Sequence, residues 1–336
     1  MRLSESLRRN IMNVIGGGIV NRFVLKKSRI DLLFFEDILA NYIKGCEDAG
    51  FGKEMEETAE KWMNLTINYQ YDTLKKFSIV FIFNSVAKKI WINLGLMDDV
   101  IAEKKGDIIK IKTEDEYITR IIGRNRFSIG AWQAPFKLYY DLDIKCTKAQ
   151  QTKKYCIYVF SLSNRQWHGT TSKEKRVYDK LNQPRRKTGF TLKDALKRGL
   201  FQLKNGNKIY FRGRSLIPIE NTVFHLFSNE KILLEKVPIL SYEYFSGIIE
   251  KSAKNENKLT LLKNILQAMG WGSITIVIKD GILVKIDNPP YGSQMERDNW
   301  LFLINVILGY LWLLDKKFTI SRIKESYQRL EIHYST

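Results

Sequence analysis

Three residues with metal-binding side chains lie close together in the sequence: Cys146, Cys156 and His168. Their spacings of 10 and 12 fit no compact zinc knuckle, and a structural zinc takes four ligands, so unligated thiols are expected. Two acidic strings, Asp98-Asp99 and Glu114-Asp115-Glu116, are the candidates for a Mg²⁺ site and hence for a two-metal nuclease. They fall in hydrophilic stretches, where solvation alone accounts for them. No Ser or Cys stands in a recognisable nucleophile elbow. His225 and His333 sit in apolar alternation and read as packed or edge residues. Gly16-Gly17-Gly18 follows a helical pattern rather than a strand and lacks G-x-G-x-x-G spacing, so it reads as a turn and not as a phosphate loop.

The charge is more informative than any catalytic string. The 336 residues carry 55 Lys+Arg against 36 Asp+Glu, a net of +19. Residues 145–214 hold 19 basic and three acidic side chains, a net of +16, so nearly all the excess lies in one fifth of the chain. Clustered like charges repel unless an anionic partner neutralises them, which points to nucleic acid or an anionic lipid surface. The residues expected to contact nucleic acid are Lys153, Lys154, Arg165, Trp167, Lys173, Lys175, Arg176, Arg185, Arg186, Lys187, Lys197, Arg198, Arg212 and Arg214. Rings are interleaved with these cations. Tyr158, Phe160, Phe201 and Tyr210 lie in apolar-periodic runs and read as core, whereas Trp167, between Arg165 and the turn-like His168-Gly169, reads as an exposed stacking ring.

These residues need a scaffold, and the length and 44% hydrophobic content suit a folded α+β protein of more than one domain. Helical spacing predicts helices over residues 3–15, over 30–71 with a break at 48–52, and over 77–92 as a buried element. Residues 107–112 and 117–129 alternate like strands. In the basic window, residues 155–163 read as a strand, 172–189 as a solvated connection, 191–203 as a helix capped by Thr191, and 208–213 as a strand. Helical periodicity then runs from a Ser241 cap to Met269 and stops at Gly270-Trp271-Gly272. The strands SITIVI and ILVKI follow, joined by the Lys279-Asp280-Gly281 hairpin signal, then a Pro289-Pro290 turn and an apolar helix over 298–314. Residues 318–324 and 329–334 close the sheet. The apolar helix has only 15 uncharged residues, short of the roughly 18 that a membrane span needs, so no transmembrane segment is expected.

The order helix, Gly270-Trp271-Gly272, strand Ile282 to Asp287, Asn288-Pro289, and apolar helix Asn299 to Leu314 with Gly309 resembles the 4-vinyl reductase domain, related in fold to small subunits of the TRAPP vesicle-tethering complex. The resemblance covers about residues 229–335. It implies a small α/β unit that binds an apolar ligand or dimerises, with Gly309 at a close crossing of another element. Many such domains carry cysteines near the last strand. This chain has Glu331-Ile332-His333 there and no cysteine after Cys156. The N-terminal third, with helix, Gly50-Phe51-Gly52, helix, apolar helix and strands, leaves two alternatives open, a divergent second copy of this unit or a helical domain of another kind. Separately, Asn288-Pro289-Pro290-Tyr291 resembles the loop of adenine-modifying DNA methyltransferases, in which the Asn and a Pro carbonyl accept from the target amine and the Tyr stacks on the flipped base. Only 45 residues follow it, too few for the rest of that sheet, and a Pro-rich turn is the simpler reading.

The sequence therefore predicts an α+β chain in three parts. Residues 1–144 form a helix-rich N-terminal domain with a small sheet, 145–218 a basic mixed α/β segment, and 219–336 a vinyl-reductase-like domain. The function expected is non-enzymatic binding of nucleic acid, DNA or RNA, with the C-terminal part as a ligand-sensing or homodimerising module and no cofactor. The alternatives are a nucleic-acid-processing enzyme, nuclease or adenine methyltransferase, and a peripheral protein on an anionic membrane surface. Three cysteines, with no leader sequence recognisable, suggest the reducing cytoplasm.

Overall fold

Where hydrophobic residues follow one another without polar interruption, the chain enters the centre of a sheet. The computed structural model describes residues 12–15, 18–21, 29–68, 77–169, 189–205, 207–289, 300–326 and 329–336, and these form an α+β fold of helices and antiparallel sheets. It begins with β1 (Met12–Ile15) and β2 (Gly18–Asn21), which pair with each other, and β3 (Arg29–Phe35), which pairs with β2. The helix expected over residues 3–15 is therefore a strand over Met12–Ile15, and residues 3–11 lie outside the described residues. The helix expected from residue 30 is likewise strand at its start. Leu32, Leu33, Phe34 and Phe35 are all fully buried, as a central strand allows on both faces and a one-sided helix does not.

Two helices follow, α1 (Glu36–Asp48) and α2 (Gly52–Asn68), broken at Ala49–Phe51 as the spacing predicts. A helical run over residues 79–93, α3, contains a π-helical stretch, Ile82–Ala87. It is not the buried helix expected, because Phe81 and the preceding Phe77 are about half exposed, at 53% and 52%. Next come β4 (Asp99–Lys105) and β5 (Ile108–Glu114), then α4 (Thr119–Ile122) and α5 (Arg126–Tyr140) where strands were expected over 117–129. The Asn125 side chain accepts from Ser128 N at 2.8 Å and caps α5, a signal masked in the sequence by the alternation around it.

The strands β6 (Leu142–Gln151) and β7 (Tyr155–Gln166) complete a four-stranded antiparallel sheet ordered β4-β5-β7-β6. The short α6 (Leu192–Lys197) starts in a capping box between Thr191 and Asp194 and ends sooner than expected, giving way to β8 (Gln202–Lys204). With β9 (Lys208–Phe211) and β10 (Arg214–Glu220) it extends a six-stranded sheet ordered β1-β2-β3-β10-β9-β8.

After α7 (Thr222–Glu230), the single helix expected over 241–269 is two, α8 (Val237–Ser246) and α9 (Asn255–Ala268). Ser241 is inside α8, and its hydroxyl donates to Val306 O at 2.7 Å rather than capping. The strands β11 (Ser273–Ile278) and β12 (Ile282–Asp287), the helix α10 (Leu301–Leu311), and the hairpin β13 (Thr319–Ser326) with β14 (Arg329–Ser335) finish the chain in a sheet ordered β11-β12-β14-β13. Among the described residues no helix is long and apolar enough to cross a membrane.

The two four-stranded sheets have the same design: hairpin, helix, hairpin, with the second hairpin's last strand beside the first hairpin's last strand. Each is preceded by a strand and helices. Those leading strands, β3 and β10, pair antiparallel, Phe35 with Leu216 and Asp31 with Glu220. The helices pack reciprocally, α1 on α8 and α7 on α2, while within each half α2 packs on α5 and α8 on α10. Both helix pairs meet at a glycine. A Cβ on Gly130 of α5 would run into Glu56 O, and one on Gly309 of α10 into Pro238 O, with Ser241 Cβ at 2.5 Å.

The boundary expected at residue 144 falls inside β6, and residues 145–218 supply strands to two sheets. One core lies under β4–β7, where Ile109, Ile111, Tyr158 and Phe160 meet Phe83, Trp132 and Phe136. The other joins β3, β9 and β10 to the C-terminal sheet. There Phe34 stacks on Trp271, and Leu33 N donates to Met269 O at 3.0 Å.

Candidate nucleic-acid interface

Alternation in a strand sends successive side chains to opposite faces, and β4–β7 cover only one face with helices. Val100 and Ala102, Ile109 and Ile111, and Tyr158 and Phe160 point into the core. The outward set is read from the register. Ile101 stands opposite Lys112, which faces Ile157, which faces Gln150; Glu103 stands opposite Lys110, then Val159, then Lys148; Lys105 stands opposite Ile108, then Ser161, then Lys145. The open face is an apolar strip flanked by lysines. Ile101, Ile108 and Tyr155 are 40%, 43% and 44% exposed, more than packing onto neighbours in one sheet leaves to a core residue.

Two acids on this face are engaged, and Glu114 is exposed opposite Tyr155. Glu103 pairs with Lys112 at 3.2 Å, and Asp99 with Lys88 at 2.5 Å. Tyr155 presents its ring with its hydroxyl accepting from Gln150 Nε2 at 3.0 Å. At the edge strand β6, a pocket of about 260 Å³ is bounded by Arg124, Arg126, Lys148 and Cys146. Lys148 is common to pocket and face. Arg126 is partly neutralised by Glu56 at 2.7 Å, and its backbone N–H donates to Glu47.

The expected contact residues divide among several places. Lys153 and Lys154 are exposed in the β6–β7 turn, at the Tyr155 end of the open face, and Arg165 is exposed near the far end of β7. Trp167 is half-buried, with its ring folded so closely over Gly169 that a Cβ there would lie 2.6 Å from it, so it is not the open stacking ring the sequence suggested. Lys197 and Arg198 are exposed at the end of α6, where the Arg198 guanidinium lies 5.4 Å from the Phe190 ring centroid. Arg212 donates to Ile248 O at 2.6 Å, and Arg214 pairs with Asp37 at 3.6 Å. Lys173, Lys175, Arg176, Arg185, Arg186 and Lys187 lie outside the described residues. The expected set missed Lys105, Lys110, Lys112, Lys145 and Lys148. The signal for Lys110 and Lys112 was the Lys-Ile-Lys alternation of β5, and Lys105 ends β4, all three outside the most basic window, whereas Lys145 and Lys148 lie within it.

The rings behave as expected at Tyr158, Phe160 and Phe201, all buried; Tyr210 is half-buried, with Lys204 Nζ 4.8 Å over its ring. The acidic strings do so only in part. Asp98 and Glu114 are exposed, but Asp98 and Asp115 also bind Lys208 at 2.8 and 2.5 Å, and Glu116 is buried at 2% exposure. Glu116 accepts from Thr113, Thr119, Trp132 and Tyr158 side chains at 2.6 to 3.3 Å. Burial raises its carboxyl above the ordinary range even against the hydrogen bonds from Thr113, Tyr158 and Trp132. Asp115 moves the other way: burial would raise it, but the Lys208 hydrogen bond and the Arg120 charge outweigh that and hold it low.

Cys146 donates to Lys148 O at 3.3 Å, and burial pushes the Cys156 thiol up to about 11, so neither is a ready thiolate. Among the described residues no group of three or more His, Cys, Asp and Glu is placed to hold a metal ion. His225 is buried, edge-on to Trp300. Asn288 and Pro289 follow β12, with Asn288 at φ +48°, while Pro290 and Tyr291 lie outside the described residues.

Comparison with protein-family models finds no match, and comparison with curated proteins finds none. A solved structure from work titled "Probing the function of heme distortion in the H-NOX family" aligns with 41% of this chain and 100% of its own at 7% identity and a TM-score of 0.24, a likeness that carries no argument about fold or function.

Proposed function

We propose that this chain binds nucleic acid on the open face of β4–β7, unpaired bases lying on the Ile101, Ile108 and Tyr155 strip and phosphates reaching the surrounding lysines. The observation that supports it is the combination on one exposed face of an apolar floor with Lys105, Lys110, Lys145 and Lys148, none of them in an ion pair among the described residues. Cations neutralise phosphates, and an exposed ring takes any base. The C-terminal unit, with its resemblance to a vinyl reductase domain, then acts as the partner of the N-terminal half within one chain, through β3–β10 pairing and the Leu33–Met269 contact. The three free cysteines suit work in a reducing cytoplasm.

The test is binding of a single-stranded oligonucleotide against salt, with anionic vesicles measured in parallel at equal salt. Changing Lys110, Lys145 and Lys148 to Ala should each flatten log K against log salt by roughly 0.7 per lost phosphate contact, the value for single strands. Tyr155→Ala should cost about 1 to 3 kcal/mol without changing that slope. Identical lines for all four variants would remove the face from the interface. Tighter binding to vesicles than to any oligonucleotide would transfer the same lysines to a lipid surface.

A further inference from the structure

The pocket of about 260 Å³ at the edge of β6 opens beside the open face and shares Lys148 with it. Three elements wall it: α2 at Glu56, the start of α5 at Arg124, Asn125 and Arg126, and β6 from Cys146 onward. The register of β6 against β7 shifts between Cys146 and Lys148, and such a bulge bends a strand and re-aims its side chains. The amides in the wall bond one another. Asn125 N donates to Gln151 Oε1 at 3.1 Å, and Gln151 Nε2 donates to Asn125 O at 2.9 Å. The Thr147 hydroxyl donates to Val159 O at 3.1 Å.

The neutral donors are thus taken up within the protein, and the cations are not. Arg124 and Lys148 are exposed and in no ion pair among the described residues. Arg126, its side chain 51% exposed, gives Nε and Nη2 to Glu56 Oε2 at 2.8 and 2.7 Å. Glu56 is the one carboxylate among the described lining residues, and its Oε1 accepts from Gln133 Nε2 at 2.9 Å, so both oxygens are engaged. Glu47 stands near both arginines without lining the pocket, and it accepts from the Arg126 backbone N–H. Accessible positive charge therefore exceeds negative in a space that solvent reaches.

We propose that this pocket binds a phosphomonoester, carried either by the end of a strand lying on the open face or by a free phosphorylated small molecule. A monoester offers three terminal oxygens and close to two negative charges at neutral pH, more of both than a diester inside a strand. Arginine forks take such oxygens in pairs, and Lys148 adds a point charge from the β6 side. The strand-end form rests on the open-face reading, and the free form does not.

The experiment uses the full chain and strands of one sequence that end in hydroxyls, in a 5′-phosphate or in a 3′-phosphate. The hydroxyl-ended strand is one nucleotide longer, so the number of phosphates is equal. Ribose 5-phosphate and ribose are titrated separately by calorimetry. A strand-end site predicts about tenfold tighter binding of a phosphorylated strand, the size of a lost charge-assisted bond. Arg124→Ala should bring that ratio close to one, whereas Tyr155→Ala should weaken both strands and preserve it. A free-ligand site predicts equal strands with saturable binding of ribose 5-phosphate, absent for ribose and lost in Arg124→Ala. Saturable ribose 5-phosphate with no strand binding would remove the open face as an interface and keep the pocket. Equal strands with no binding of ribose 5-phosphate overturn the proposal, and the open-face reading then stands if Tyr155→Ala weakens both. A phosphate preference that survives in Arg124→Ala with unchanged circular dichroism overturns it as well.

Discussion

Gly309→Leu is expected to lose about 3 kcal/mol or more in denaturant melts, at or above the upper end of ordinary overpacking. The new Cβ would enter the Pro238 carbonyl oxygen and come within 2.5 Å of Ser241 Cβ, so α8 and α10 must separate before any rotamer fits. Separation also breaks the Ser241 hydroxyl bond to Val306 O. Gly130→Ala tests the equivalent crossing in the other half, where the obstacle is the backbone of Glu56, with its carbonyl carbon at 2.8 Å. The control is Gly45 in α1, whose Cβ would meet nothing within 4 Å. There Ala should stabilise by about 0.5 to 1 kcal/mol through helix propensity. A Gly309→Leu melt coincident with the parent's would mean that α8 and α10 do not touch at this point.

Arg120→Met should cost about 3 to 5 kcal/mol, the usual result of removing one partner from a buried pair. Arg120 grips Glu36 with two bonds, Nη2 to Oε2 at 2.6 Å and Nε to Oε1 at 2.8 Å, and Glu36 is fully buried. The same guanidinium reaches Gly95 O at 3.2 Å and Asp115, so it ties the start of α1 to the base of the β4–β7 sheet. The double variant Glu36→Met with Arg120→Met should recover much of the loss, because no charge is then stranded. Equal losses in the single and double variants would show that the cost is packing and not an orphaned carboxylate.

The pH profile of the Arg120→Met variant carries a further expectation. Asp115 is held below its ordinary value of 3.8, so its contribution is present above that value and lost as pH falls through the lowered folded one. Removing Arg120 raises the folded value toward the ordinary one, and this contribution should fade at a higher pH on acidification. Glu116 acts with the opposite sign. Its raised carboxyl contributes stability that is complete below 4.5 and lost as pH rises through the folded value. Acid titrations of Arg120→Met and Glu116→Gln, followed by far-ultraviolet circular dichroism, would separate the two.

The sequence determined the elements whose signals are local. Strands β5, β7, β11 and β12, the Gly270-Trp271-Gly272 stop, the break at residues 49–51 and the Thr191 cap follow from alternation, punctuation and capping within a few residues. The gross excess of positive charge was equally legible. Tertiary structure decided the rest. Leu32 to Phe35 are strand only because β10 pairs with them, and Phe127 to Leu138 are helix because Asn125 caps them and α2 packs on them. Glu116 looked like one of three solvated acids until the fold brought Trp132 and Tyr158 to its carboxylate. The lysines of the open face come from strands β4, β5 and β6, the last separated from the others along the chain by the helix α5, and sheet register alone brings them onto one face. Helix and turn preferences act between neighbours, whereas burial and register depend on partners that only the completed fold supplies.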